Sequence, residues 1–257
     1  MRRAHVVFRL QDAVRNSEIV AYYQPQLDLG SGEIVGVEAL SRWRHPTLGL
    51  LSPESFIADA EESGAIHDIG AFMLDDGCRC AADWQSAGYD IGVAVNVSAA
   101  QLTTDAFFEH LAERLATLSL RPRSITVEIT ESRAIADPVD AATRLGVLRG
   151  IGVDVSIDDF GIGHSSIEQV LRLPATEVKI DKSLLHGVQH GSDAIMRELV
   201  ELAHGRGLRV VAEGIETDEH LARAREVGCD RAQGYLLGRP SPEDEITQML
   251  EVAGHPA

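Results

Sequence analysis

The stretch Leu27-Asp28-Leu29-Gly30-Ser31-Gly32-Glu33-Ile34-Val35 decides how the rest of the chain is read. Runs of strand character, Ala21–Leu29 and Glu33–Ser41, flank it, with only Gly30-Ser31-Gly32 between them. Three residues are too few for a helical crossover, so these two strands form an antiparallel hairpin. Downstream the pattern changes. Short β-branched runs at Ile91–Val97, Ser124–Thr130, Asp154–Asp158, Glu177–Ile180, Arg209–Ala212 and Arg231–Leu236 alternate with amphipathic helical stretches, as parallel α/β units do. Eight strands in 257 residues with no dividing linker predict one α/β barrel that departs from regularity at its first strand pair.

Helix starts are marked by Ser52-Pro53-Glu54, Asp137-Pro138 and Thr217-Asp218-Glu219, each placing a capping oxygen before the first turn, and Gly228 ends the last of these helices. From Thr103 to Leu118, Phe107, Phe108, Leu111, Leu115 and Leu118 recur at helical spacing and predict a core-facing helix. Residues 1–18 read as a helix ahead of the first strand, or as the end of a linker from an upstream domain, with residues 19–257 forming the domain itself.

Composition narrows the functional classes. A net charge of -17 argues against a surface built for long nucleic acids, though not against a small phosphate ligand. No apolar run approaches the roughly 20 residues of a membrane span, and the start lacks a signal-peptide pattern, so no direct membrane insertion is expected. Three cysteines, Cys78, Cys80 and Cys229, fit a reducing cytoplasm.

Nearly every strand ends in an acidic or amide residue: Glu38, Asn96, Glu128, Asp158-Asp159, Lys179 with Asp181, Glu213 and Gln233. In a β/α barrel the carboxyl ends of the strands meet at one face, where catalytic groups gather. Clustered carboxylates repel unless a positive charge sits among them, and oxygen ligands without His or Cys suit Mg2+ or Mn2+ rather than zinc. Asp158-Asp159 is the sharpest element, because a backbone turning at the strand's end lets one carboxylate bridge two metals while the next binds one. Phe160-Gly161-Ile162-Gly163-His164-Ser165-Ser166 follows as a glycine-bearing loop able to fold over a site.

These residues resemble the EAL-domain phosphodiesterases that cleave cyclic di-GMP. The resemblance covers Ile19 to Pro240 and rests on Tyr22-Tyr23-Gln24-Pro25, Glu38-Ala39-Leu40-Ser41-Arg42-Trp43, Asn96-Val97-Ser98, Glu128-Ile129-Thr130-Glu131-Ser132, Asp158-Asp159-Phe160-Gly161, Lys179-Ile180-Asp181-Lys182, Ala212-Glu213-Gly214-Ile215-Glu216 and Gln233-Gly234-Tyr235. It implies a TIM-like (β/α)8 barrel with an antiparallel first strand. It implies two divalent cations, Mg2+ or Mn2+, on Glu38, Asn96, Glu128, Asp158 and Asp159, with Lys179 orienting the attacking water and Glu213 as a base or outer ligand. Gln24, Leu40, Arg42, Asp181, Glu216 and Gln233 are implied around the dinucleotide. Glu131 matches a glutamate that fixes the Asp158 loop, which in the family couples to a homodimer contact. The implied product is linear 5′-pGpG. Ile162 and His164 stand where the family more often has Thr and Tyr, which bears on regulation and basal rate.

Rival readings fit these residues less well. A receptor module for cyclic di-GMP predicts missing ligands, whereas every expected acidic position, Asn96 and Lys179 are present. Enolate chemistry on one magnesium also uses strand-end carboxylates but gives no reason for the adjacent aspartates. His186 and His190 have a helical chelate spacing, but Gly187 intervenes and no third ligand follows. Trp43 either stacks a guanine or packs in the core.

Overall fold

A computed structural model describes residues 10–130, 138–160, 173–186 and 192–254. Two antiparallel strands open the barrel, β1 (Ile19–Asp28) and β2 (Ile34–His45), paired from Ile19↔Trp43 to Leu27↔Ile34. The turn between them is held by Asp28. Its Oδ1 accepts from the amides of Gly30 (3.0 Å) and Ser31 (2.7 Å), and these bonds, the Ser31 amide foremost, hold its carboxyl below the usual range.

The strands that follow are β3 (Gly49–Leu51), β4 (Gly92–Asn96), β5 (Ile125–Thr130), β6 (Asp154–Phe160), β7 (Glu177–Ile180), β8 (Arg209–Ala212) and β9 (Arg231–Gln233). Neighbours run β1-β9-β8-β7-β6-β5-β4-β2-β3, and the β1–β2 pairing closes a barrel of eight strands with β3 outside it. From β2 through β4 to β9 the barrel pairs are parallel, and β1 is antiparallel to both its neighbours. The expected barrel with an antiparallel first strand is therefore the fold observed.

Helices wrap the outside: α1 (Ile57–Ser63), α2 (Ile66–Ser86), α3 (Ala99–Leu102), α4 (Asp105–Thr117), α5 (Pro138–Gly150), α6 (Lys182–His186), α7 (Ser192–His204), α8 (Asp218–Val227) and α9 (Glu243–Ala253). The strand residues that face them, among them Val95, Val127, Val155, Ile157, Val178 and Val210, are almost wholly buried. The apolar core is thus the layer between strands and helices, where most of the hydrophobic driving force resides. In α4, Phe107 and Leu111 are buried, and Phe108, Leu115 and Leu118 pack against the core. Leu10 and Ala13, in a helical stretch over residues 10–13, join it too.

Local expectations at the element ends are in part overturned and in part refined. Ser52 caps no helix: Pro53–Ser55 form a 3-10 turn, and α1 starts at Ile57. Thr217 does cap α8, accepting from the His220 amide at 3.2 Å, and Gly228 closes that helix with φ 92°. Asp137 lies outside the described residues, while α5 begins at Pro138 as expected. β2 runs past Ser41 to pair with β3, where His45 Nδ1 accepts from the Thr47 and Leu48 amides at 3.2 Å each. The last strand stops at Gln233 instead of Leu236. There the chain turns against Ile215, whose amide donates to Gln233 O (3.0 Å) and whose carbonyl accepts from the Leu236 amide (2.9 Å).

Gly234 makes that turn possible, since a Cβ at this position would be driven into the backbone of Ile215. Gly234→Ala is expected to lower unfolding free energy by about 1–3 kcal/mol, the usual range for overpacking, measured as a shifted urea midpoint at constant m-value.

Candidate active site

The register of the parallel strands brings chemistry to one mouth. Asn96 pairs with Glu128 and Thr130 with Asp158, and directly paired residues point to the same side of a sheet. Glu38 on β2, Glu128 on β5, Asp158 on β6, Lys179 on β7 and Glu213 just past β8 all project into the barrel at the carboxyl ends of the parallel strands.

Lys179 is the hub. Its side chain is fully buried, and Nζ lies 2.7 Å from Glu213 Oε1, 2.9 Å from Glu128 Oε2, 3.1 Å from Glu38 Oε2 and 3.8 Å from Asp158 Oδ1. Burial disfavours its charge, but the four surrounding carboxylates outweigh that and hold the ammonium's pKa well above its ordinary value. A contact near 3 Å is worth on the order of 5 kcal/mol gross at an effective dielectric of about 20. Desolvation costs several kcal/mol per ion, so two or three such contacts suffice to keep Lys179 charged.

The carboxylates differ from one another. Burial would raise Glu38, yet the charge of Lys179 and hydrogen bonds from Gln233 Nε2 (2.6 Å) and Asn96 Nδ2 (2.6 Å) hold it below the ordinary value. Burial, reinforced by the charge of Glu38, drives Glu128 well above, and its Oε1 is buried without a hydrogen-bond partner. Glu213 is pushed up to about 8, by burial first, against the pull of Lys179.

Asp158 and Asp159 reach the mouth through a bulge rather than a strand end. β6 continues to Phe160 with a register shift between Ile157 and Phe160, and Asp159 takes φ 59°. The Asp159 amide donates to Asp158 Oδ1 at 2.9 Å. An extra residue in one strand turns consecutive side chains out of strict alternation, so both aspartates line the same cavity of about 610 Å³ with Glu38, Asn96 and Glu128. A second cavity, of about 310 Å³, meets the first at Glu38, Leu40 and Pro53 and carries Arg42, Asp181, Glu216 and Gln233 on its wall. Among the described residues no three His, Cys, Asp or Glu side chains stand in a ligating group; the acids converge on Lys179 instead.

Several expected contact residues are already bonded within the protein. Gln24 Nε2 donates to Gly238 O (3.0 Å), and Gln24 Oε1 accepts from Gln233 Nε2 (3.2 Å). Arg42 Nη1 donates to Ser41 O (2.9 Å), and its guanidinium lies over the Tyr22 ring at 5.6 Å. Asp181 Oδ1 accepts from the Ser183 amide at 2.7 Å. Glu131, Ile162 and His164 lie outside the described residues.

Trp43 packs in the core and lines neither cavity. It is fully buried, edge-on to His45 and Phe56, with Nε1 donating to Glu18 at 2.9 Å. His190 lies outside the described residues. His186 instead steadies the loop after Glu213, with its Nε2 2.7 Å from Gly214 O and its ring stacked on His220 at 4.0 Å.

Two residues around the site received no role from sequence reasoning, although Tyr235 stands in the motif Gln233-Gly234-Tyr235. Tyr235, 53% exposed, lines the smaller cavity with Arg239 over its ring at 4.4 Å. Gln26, buried, donates through Nε2 to Gln233 Oε1 at 2.9 Å and so holds Gln233 from below. Its signal was the alternation Gln24-x-Gln26 on one strand, which puts both amides on the inward face.

The EAL domain family profile matches residues 8–240. The chain is similar to the bifunctional diguanylate cyclase/cyclic di-GMP phosphodiesterase MucR of Pseudomonas aeruginosa, 39% identical over 240 residues that are 92% of this chain and 35% of that protein. It is also similar to the oxygen sensor protein DosP of Escherichia coli, 35% identical over 92% of this chain and 30% of that protein. It thus spans about a third of the length of these curated relatives. Among solved structures, the PaMucR phosphodiesterase in complex with c-di-GMP superposes with a TM-score of 0.89 at 38% identity, covering 94% of this chain and 99% of that one. The EAL enzyme Bd1971 with cAMP and cyclic di-GMP bound gives 0.90 at 27% identity, covering 97% and 69%. A barrel closed by an antiparallel first strand, acids drawn to one mouth and a profile match over nearly the whole chain agree: the chain belongs to the EAL domain family of cyclic di-GMP phosphodiesterases.

Proposed function

We propose that this chain hydrolyses cyclic di-GMP to linear 5′-pGpG, using two divalent cations, Mg2+ or Mn2+, held by Glu38, Asn96, Glu128, Asp158 and Asp159. The observation that carries this reading is the buried Lys179 ammonium bonded to Glu38, Glu128 and Glu213 where two cavities meet. The donor set fits hard cations. It is all oxygen, it has more acid than Lys179 alone neutralises, and Glu128 Oε1 is buried with nothing to bond. Divalent cations in such a site lower the pKa of water and neutralise the phosphodiester.

The chain's own residues do the rest. Lys179 keeps a full positive charge where negative charge develops on the attacking water and the phosphorus centre. Because it is fixed by carboxylates from separate strands, it needs no reorganisation during the reaction. Glu213, whose proton affinity lies near neutrality, is matched to accept a proton from water at Oε1 or Oε2. The amides of Gln24 and Gln233 and the guanidinium of Arg42 bind and orient the dinucleotide, with Leu40, Asp181 and Glu216 around it. The half-exposed ring of Tyr235 offers a face for a guanine.

The same reading extends to the parent protein. We place residues 1–18 as an N-terminal helix or the end of a linker from an upstream sensor domain, residues 19–257 as the phosphodiesterase unit, and this unit as a cytoplasmic homodimer with Glu131 coupling the loop to the dimer contact. Support comes from the greater length of the curated relatives and from three free, buried cysteines. Among the described residues no helix is long and apolar enough to cross a membrane.

Purified protein given cyclic di-GMP and Mg2+ or Mn2+ is expected to yield 5′-pGpG by chromatography, and chelator to abolish it. Binding without turnover would instead make the domain a receptor. Glu38→Ala should lower kcat/KM by at least about 100-fold, since even outer-shell partners of a metal are worth 10–100-fold. Full activity in that variant overturns the ligand assignment.

Lys179→Met removes the only cation among the described residues that touches these carboxylates. In chelator it should lower unfolding free energy by about 3–5 kcal/mol, the range for a broken buried pair, read by urea denaturation. Metal binding should release more protons at pH 6.5 than at pH 9, because Glu213, pushed up to about 8, holds its proton at the lower pH and has lost it at the higher, and cations bound beside it favour its ionised form. Calorimetry in buffers of different ionisation enthalpy measures this; equal release at both pH values contradicts it.

A further inference from the structure

The inward-facing rows of the barrel carry charge at their other end as well. Two to four residues before the catalytic mouth, the same rows hold Asp154, Glu177, Arg209 and Arg231. Asp154 accepts from Arg149 Nη1 on Oδ1 (2.6 Å) and from Arg209 Nη2 on Oδ2 (2.9 Å). Glu177 Oε2 accepts from Arg209 Nε (3.2 Å) and Arg231 Nη1 (3.4 Å). A cavity of about 490 Å³ opens here, at the amino ends of the parallel strands, with Arg121, Arg123, Arg209 and Arg231 on its wall against Asp90 and Asp154. Four guanidiniums facing one recess run against a chain with 40 acidic and 23 basic residues.

The nearby carboxylates, Asp28, Asp90, Asp154 and Glu177, are shared among five guanidiniums, Arg149 included. Asp90 is engaged by Arg121 at 2.7 Å. Arg123 comes no nearer than 3.9 Å to Asp154 Oδ1, an oxygen already taken by Arg149. Burial lowers the proton affinity of Arg231 despite Glu177, Asp28 and Asp154, and the charge of Arg209 adds to the effect. Arg123 also holds φ 68°, a conformation unfavourable to a residue with a Cβ.

We propose that this recess binds a small phosphate-bearing anion, with Arg123, Arg209 and Arg231 as its ligands. Guanidinium forks match phosphate oxygens in bidentate geometry, and the volume falls in the range of small-molecule sites. The competing reading is a belt of ion pairs that only stabilises the barrel's amino-terminal face.

Isothermal titration of the whole chain in chelator, with inorganic phosphate, pyrophosphate and GTP as probes, separates the two readings. Saturable pyrophosphate binding is expected, and Arg123→Gly is the diagnostic variant. Glycine adopts φ 68° without strain and the Arg123 side chain is 67% exposed, so thermal stability holds or rises while pyrophosphate affinity falls about tenfold or more, the effect of one charge-assisted contact. Should that variant lose its folded transition, Arg123→Gln, which keeps the backbone strain of the wild type and removes only the charge, carries the same test. GTP binding tighter than pyrophosphate assigns a nucleotide to the recess, and equal binding assigns the phosphate group alone; both support the site. No saturable binding of any probe at millimolar concentration, or affinity within about twofold of wild type in the folded variant, overturns it.

Discussion

The acidic mouth of the barrel depends on one buried charge. Lys179 Nζ, without solvent contact, ties the ends of β2, β5 and β6 and the residue after β8 to a single point. Such an arrangement is weak evidence for stability, because desolvating the ions offsets much of their attraction and well-packed apolar residues of similar volume do as well or better. Its value is positional. Side chains from different strands cannot drift apart without leaving a buried charge unpaired, so the acids are held ready before any ligand arrives.

That choice shapes the whole barrel. TIM barrels usually fill the interior with branched apolar layers; here the inward rows read Asp154-x-Ser156-x-Asp158, Glu177-x-Lys179, Arg209-x-Val211-x-Glu213 and Arg231-x-Gln233. Apolar burial is transferred to the outward rows, where Val155, Ile157, Val178 and Val210 meet the helices. A polar interior demands partners throughout, and it nearly finds them: among the described residues, Ser156 Oγ on β6 and Glu128 Oε1 on β5 are the buried side-chain atoms of the barrel interior left without one.

This division explains what was legible beforehand. The alternation of apolar and polar residues along each strand, ending in an acid or amide, fixes register and face together, because a slip of one residue would turn every carboxylate outward. The hairpin at Gly30-Ser31-Gly32 was legible for a geometric reason, the shortness of the connection. Features set by tertiary contact were not. β3 exists because β2 overruns the barrel and His45 closes a tight turn. The last strand ends early because Gly234 lies on the backbone of Ile215. Asp159 faces the mouth because of a bulge that no local propensity marks. The sequence puts Lys179 at a strand end beside the acids, but its bonds to three of those carboxylates follow from barrel closure, which no single strand reveals.

The two ends of the barrel sit on the same strands, which limits how they can influence each other. Residues two to four apart along a strand are separated by roughly 7–13 Å, so a unit charge at one end changes the energy of a charge at the other by only about 1–2 kcal/mol at an effective dielectric near 20. That is small beside the direct contacts of Lys179. Hydrogen bonds offer a shorter route: Gln26 lines the arginine recess, donates to Gln233 Oε1 at 2.9 Å, and Gln233 donates to Glu38 Oε2 at 2.6 Å. Glu38 is the carboxylate whose proton affinity the Gln233 bond helps hold down, so Gln26, through Gln233, bears on the ionisation of Glu38. The field of the arginines biases the acidic mouth weakly, whereas the amide chain positions Glu38 within it, and Gln26 is where the two ends of the barrel meet.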